Sequence, residues 1–262
     1  MASAAAGKDL VRVDVSCSVD AIAPGETVML GVKFVIEPKW HIYWRNAGDT
    51  GTPTELSVHA PKGFVVGSVV WPRPRVFSEH GDVSFGYERT ATLLVPVTAP
   101  AMIDVEAVTF DVATEWLVCK GVCKFGEHST SVRLKVGVEP ALSSRRGERF
   151  AEVLKRMPKP LAKLKGAKVT LNGTTLRVEG PMDLFDRVAF FPAHTPGVRY
   201  DGAMPFLGVI ANGRFQIEIP LEISPDDALG KPLRAAGLLV FGGADGDPAY
   251  DVVVSISPAS RP

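Results

Sequence analysis

The chain has 262 residues, 46% of them hydrophobic, with 29 basic and 29 acidic side chains and a formal net charge of zero. That composition is globular, and the dispersed, balanced charge excludes the basic face on which nucleic-acid binding depends. No apolar run approaches the roughly 18 residues that cross a bilayer as a helix. The first nine residues lack the charged and then apolar regions of a signal peptide and read as a mature or trimmed N-terminus.

Short segments rich in Val, Thr and aromatics recur at residues 11–19, 27–36, 39–44, 54–58, 65–70, 90–97, 103–112 and 130–138, with Pro and Gly between them. This is an all-β pattern at sandwich spacing. Cys17, on the first alternating segment, reads as a small buried or free hydrophobe. In the third, alternation sets Trp40, Ile42 and Trp44 on one face and His41, Tyr43 and Arg45 on the other. The first face predicts core and the second a satisfied polar cluster or a binding surface; His41 has no Ser or acid partner at triad spacing. Residues 77–87 read as a polar connection with one core aromatic.

Trp116-Leu117-Val118-Cys119-Lys120-Gly121-Val122-Cys123-Lys124-Phe125-Gly126 carries the chemistry. An extended backbone holds residues four apart at roughly 13 Å, whereas a reversal through Gly121 sets them opposite at about 4.5 Å, within disulfide reach. So short a loop adds little stability, which favours a redox pair over a passive staple or a metal site. Lys120, Lys124 and His128 are expected to crowd the sulfurs with positive charge and favour thiolate.

Residues 142–157 predict a helix, capped by Ser143 or Ser144, with Phe150, Val153, Leu154 and Met157 on one face and Pro158 and Pro160 beyond it. The β pattern resumes at 168–171, 175–179, 187–191, 206–210, 214–220, 233–241 and 250–256, with Asn172-Gly173 and Asn212-Gly213 as hairpin turn signals. The expected organisation is two immunoglobulin-like β-sandwich domains, 1–140 and 161–262, joined by a short helical linker over 141–160.

In order along the chain, Trp40 to Asp49 with Gly51 and Pro53, Trp71-Pro72-Arg73-Pro74, Phe85-Gly86-Tyr87-Glu88, and Trp116-Leu117-Val118-Cys119 with Cys123 resemble the N-terminal domain of DsbD and ScsB-type thiol:disulfide interchange proteins. The resemblance covers roughly residues 10–138. It implies a periplasmic module, excised from an inner-membrane protein or standing alone, without cofactor. Such a module takes electrons from a membrane-embedded cysteine-pair domain and passes them to periplasmic thioredoxin-like proteins. Cys119 and Cys123 match the family's catalytic pair. Phe77, Phe85 and Tyr87 fall in the region of its shielding cap, and Trp116, Lys120, Lys124 and His128 support the pair. The rival readings are a copper(I) or copper-tolerance module using Cys119, Cys123 and His128 with His80, and a passive adhesion or scaffold sandwich.

Overall fold

A computed structural model of the protein describes residues 5–79, 81–137, 144–200, 205–223 and 233–256. The chain divides into two units, Met1–Met157 and Pro158–Pro262. The first contains α1 (Ala5–Lys8), β1 (Val11–Cys17), β2 (Ala21–Ile22), β3 (Thr27–Ile36), β4 (His41–Gly48), β5 (Glu55–His59), β6 (Val65–Val66), β7 (Arg75–Glu79), β8 (Asp82–Glu88), β9 (Thr90–Thr98), β10 (Ala107–Lys120), β11 (Val122–Val136) and α2 (Ser144–Lys155). One sheet runs β1-β3-β9-β6; the other runs β2-β11-β10-β4-β8-β7, with β5 also on β10.

Alternation builds the core between these sheets. Val32, Phe34, Leu93 and Val95 from the first sheet and Ile42, Trp44, Phe110, Trp116 and Val118 from the second are almost fully buried. Phe34 meets Trp116 edge to face, with ring centroids 5.8 Å apart, the geometry that the aromatic quadrupole favours.

The segment read as a linker has a structural partner. Phe150 and Met157 of its helical region join Leu94 in a separate apolar cluster, with Val153 packed against it. Gly31 makes room there, since a Cβ at that position would come 2.9 Å from the Phe150 ring. The helix thus lies on the first sheet's outer face and belongs with the first unit, because Phe150, Val153 and Met157 form one apolar stripe. Leu154, expected on that stripe, is exposed. Ser143, the alternative cap, lies outside the described residues.

Residues 77–87 also differ from expectation. They belong to a β7–β8 hairpin registered from Arg75↔Gly86 to Glu79↔Asp82, with Gly81 at φ +97° in its tip. Val83 to Tyr87 are all buried, so the period-two signal that marks a strand is missing.

In the second unit one sheet orders Lys159–Pro160, Ala249–Ile256, Leu233–Phe241, Val188–Pro192 and Phe206–Leu207. The other orders Lys168–Asn172, Thr175–Pro181, Arg214–Ile223 and Val198–Tyr200, with Val209–Ala211 also on Arg214–Ile223. Both sheets contribute to one core, in which Phe215 and Phe241 pack edge to face at 5.0 Å. The Tyr200 hydroxyl bridges the sheets, donating to the Ala236 carbonyl at 2.6 Å and accepting from the Ala236 amide at 2.8 Å. Both expected hairpins form. Asn212 and Gly213 take positive φ between paired Ala211 and Arg214, whereas the other turn centres on Gly173-Thr174, one residue later than its Asn-Gly signal.

Candidate functional site

β10 and β11 pair without interruption from Ala107↔Lys135 to Lys120↔Val122, leaving Gly121 alone at the tip. Gly121 takes φ +67°, a conformation open to glycine at no steric cost. The register sets Cys119 opposite Cys123 with Cα atoms 4.2 Å apart, and the two form a disulfide with an S–S distance of 2.03 Å. Cys119 is only 2% exposed, whereas Cys123 faces solvent. Val122 (61% exposed) and Phe125 (41%) flank the exposed sulfur with apolar surface.

The inner flank is aromatic. Cys119 pairs with His41 on β4, and His41 pairs in turn with Glu88 on β8. The His41 ring stacks on Phe77 of β7 at 4.4 Å and 15° and meets Tyr43 edge-on at 5.2 Å. The Tyr43 hydroxyl reaches Cys123 Sγ at 3.9 Å, a long O–H···S contact, and Tyr43, Ala47 and Cys119 form a small apolar cluster with Leu117. Phe77, His41, Tyr43 and Cys123 therefore form a chain of contacts across the end of the sheet. Tyr43, which alternation sets with His41 on the face expected to be a polar cluster or a binding surface, is the residue of that face that reaches the exposed sulfur.

The loop after β4 fixes Tyr43 from the other side. A Cβ on Gly51 would come 2.3 Å from the Tyr43 ring, and Gly51 has φ +93°. Asn46 Oδ1 accepts from the Gly48 amide at 3.0 Å. Asp49 Oδ2 accepts from the Val83 amide at 2.8 Å, tying the loop to the β7–β8 hairpin.

Burial dominates the electrostatics. It lowers the His41 pKa from its ordinary value, against the opposing pull of Glu79 and Glu88. His41 Nε2 is buried with no hydrogen-bond partner, so the expected satisfied polar cluster is not what this face holds. Burial, and then the Glu79 charge, raises the Tyr43 pKa and keeps its phenol protonated.

The cap residues separate. Phe77 lies at the site, but Phe85 is fully buried and meets Trp44 edge-on. Tyr87 is buried with its hydroxyl donating to the Pro72 carbonyl at 2.8 Å, and burial raises its pKa well above the ordinary value. Trp116 is core, its ring against Gly126. Lys120 is exposed beside the tip. Lys124 sits one residue from Cys123 with its ammonium 5.5 Å from the Trp40 ring centroid, a cation–π contact. His128 pairs with Thr114, five residues from Cys123 and about 17 Å away along the strand, so it does not join the sulfurs. Of the three expected charges, Lys120 and Lys124 adjoin the two cysteines in the hairpin, and the extended course of β11 carries His128 away from them. Among the described residues no group of three or more His, Cys, Asp or Glu is placed to hold a metal ion; His80 lies outside them. Among those residues, too, no helix is long and apolar enough to cross a membrane.

Residues 8–134 match the family model described as thiol:disulfide interchange protein DsbD, N-terminal. The structure is similar to that of the N-terminal periplasmic domain of ScsB from Proteus mirabilis, with a TM-score of 0.59 at 14% sequence identity, covering 95% of this chain and 94% of that one. It is also similar to the GAE domain of yeast GGA1, with a TM-score of 0.27 at 13% identity, covering 47% of this chain and 91% of that one. No curated protein matches the chain.

Proposed function

We propose that the DsbD-type N-terminal domain formed by residues 8–134 exchanges disulfides with other proteins through Cys119 and Cys123, in the periplasm. The observation that carries this is the asymmetry of the pair: one cysteine at the surface, the other buried, disulfide-bonded across a tip whose backbone register sets them opposite each other. An incoming thiolate attacks Cys123 Sγ. The S–S bond breaks, Cys119 leaves as a thiolate and takes up a proton, and the partner is left in a mixed disulfide with Cys123. The partner's second thiolate then attacks its own sulfur in that bond and releases Cys123. The partner has lost two electrons and this pair has gained them. Run backwards from the reduced pair, Cys123 attacks an acceptor disulfide and Cys119 resolves the intermediate. Phe77 stacks on His41 beside the buried Cys119, and Val122 and Phe125 form the apolar rim that a partner covers. The donor is a membrane-embedded cysteine-pair domain, and the acceptors are thioredoxin-like proteins.

The test is trapping. Cys119→Ser, reduced, should accumulate a mixed disulfide through Cys123 with a thioredoxin-like protein that lacks its resolving cysteine and carries the remaining one as a thionitrobenzoate mixed disulfide, thionitrobenzoate leaving as Cys123 attacks; the covalent adduct is mapped by peptide mass. Cys123→Ser should accumulate far less. Equal trapping by both variants would remove the assigned order of attack. No exchange by the parent, combined with copper(I) binding that depends on His128, would replace the interchange reading with the metal reading.

A further inference from the structure

The sheet face that carries the disulfide continues up the hairpin. On β10 and β11, Cys119 and Cys123 share one side with Leu117 and Phe125, and then with Glu115 and Glu127, because side chains two apart along a strand point the same way. β5 widens this last row by one strand, setting Glu55 opposite Glu115. The buried Thr114 hydroxyl fixes it there by donating to the Glu55 carbonyl at 2.6 Å. Three carboxylates thus stand side by side across neighbouring strands, all on exposed residues, and among the described residues none of them takes part in an ion pair. Directly opposed side chains have Cβ atoms about 5 Å apart, where like charges destabilise a sheet. The row beyond, Ser57, Ala113 and Ser129, is small. Arg133 and Lys135, the β11 cations of this face, lie about 20 Å or more up the strand from Glu127.

We propose that this face is the docking surface for the exchange partner, and that it selects a protein whose reactive cysteine is bordered by apolar surface and, about 14 Å further on, by a cluster of Lys and Arg. The acidic row belongs to the same footprint as the disulfide. Cys119 and Glu115 are four residues apart on β10, and Cys123 and Glu127 four apart on β11, about 14 Å in each case. A protein interface of ordinary size covers about 800 Å² on each side, a disc of about 16 Å radius. A partner centred on Cys123 therefore reaches the carboxylates of both strands. Phe125 (41% exposed) and Val122 (61%) supply the apolar centre of such a contact. The glutamates supply its charged margin, where a complementary partner gains association rate and a fixed orientation. Repulsion within the row destabilises the free protein, and a cationic partner relieves it on docking. Lys120 and Lys124, beside the cysteines, oppose a partner whose positive charge sits next to its own cysteine. The surface thus reads where the charge is as well as its sign.

This rests on the exchange reading for the centre of the surface, and the test separates the two. The probes are three synthetic peptides, each with one cysteine held as a thionitrobenzoate mixed disulfide. One carries a run of lysines beginning four residues from the cysteine, one carries the same lysines directly beside it, and one has glutamines in their place. Reduced protein gives two electrons to each probe: the pair becomes a disulfide, and the peptide thiol and thionitrobenzoate are released, the latter followed by its absorbance. At low salt the parent should react several-fold faster with the distant-lysine peptide than with either of the others, and the preference should fade at high salt. The Glu55→Gln, Glu115→Gln, Glu127→Gln triple variant should lose the preference, and it should be no less stable to denaturant than the parent. A preference that survives in the triple variant, or that is missing in the parent, would overturn the proposal. The distant-lysine peptide with alanine for its cysteine should also bind the reduced parent several-fold more tightly than the triple variant, read by fluorescence anisotropy at low salt. Equal binding would overturn the proposal whatever the thiols do. Failure of the parent to release thionitrobenzoate from any probe would overturn the exchange reading instead, and the binding measurement would still decide the surface.

Discussion

Tyr43 occupies the space that a side chain at position 51 would need, and this makes Gly51 the position where a single methyl group reaches the disulfide. Gly51→Ala meets two obstacles at once, the left-handed φ of +93° and a Cβ 2.3 Å from the Tyr43 ring. Together they are expected to cost about 1–3 kcal/mol, measured by denaturant unfolding, and to change the rate of thiol exchange as Tyr43 shifts off Cys123. Tyr43→Phe is the sharper control, since it keeps the ring and removes only the hydroxyl 3.9 Å from the sulfur; it should leave stability nearly unchanged. His41 makes a separate prediction about pH. Its folded pKa lies below the unfolded one because burial disfavours the imidazolium. The unfolded chain therefore binds more protons as the pH falls below the ordinary histidine value, and stability is lost in that direction. Thermal melts from about pH 8 downward should show this loss in the parent and a smaller one in His41→Phe.

At the scale of elements, the β10–β11 hairpin decides what the cysteines are for. Loop-closure entropy over so few residues gives the disulfide about 2 kcal/mol of stabilisation, so the Cys119→Ser, Cys123→Ser double variant should stay folded and lose about that much by calorimetry or denaturant. A collapse of the fold would make the bond a structural staple. His128→Ala should leave exchange rates close to the parent's, because that side chain lies five residues up β11 from Cys123. The tip was legible in the sequence since Cys-Lys-Gly-Val-Cys permits one compact reversal, with Gly121 taking the positive φ. Strands such as β1 and β9 were legible from their β-branched residues and flanking turns. β7 and β8 were not, because five consecutive residues of β8 are buried and two-sided burial erases alternation. The same fact hid the difference between Phe77 at the site and Phe85 and Tyr87 in the interior. His128 alone of the expected charges was misplaced, for a related reason: nearness in sequence stands for nearness in space within a turn, but not along an extended strand that adds about 3.4 Å per residue.

The whole molecule consists of two units with separate cores, and the disulfide belongs to the first. Calorimetry of the full chain should resolve two transitions, and reduction of the disulfide should lower one and leave the other in place. A single transition that moves as a whole would show that the units melt together. Folding and bond formation in the first unit form a closed thermodynamic cycle, so the roughly 2 kcal/mol that the bond gives the fold, the fold returns to the bond. That is about a thirty-fold rise in the effective concentration of one thiol at the other, or about 40 mV of reduction potential for a two-electron couple. Because Gly121 keeps the loop this short, the sandwich biases its own sulfurs only slightly toward the oxidised state. That thirty-fold rise is counted from the unfolded chain, in which so short a loop already keeps the two thiols close together.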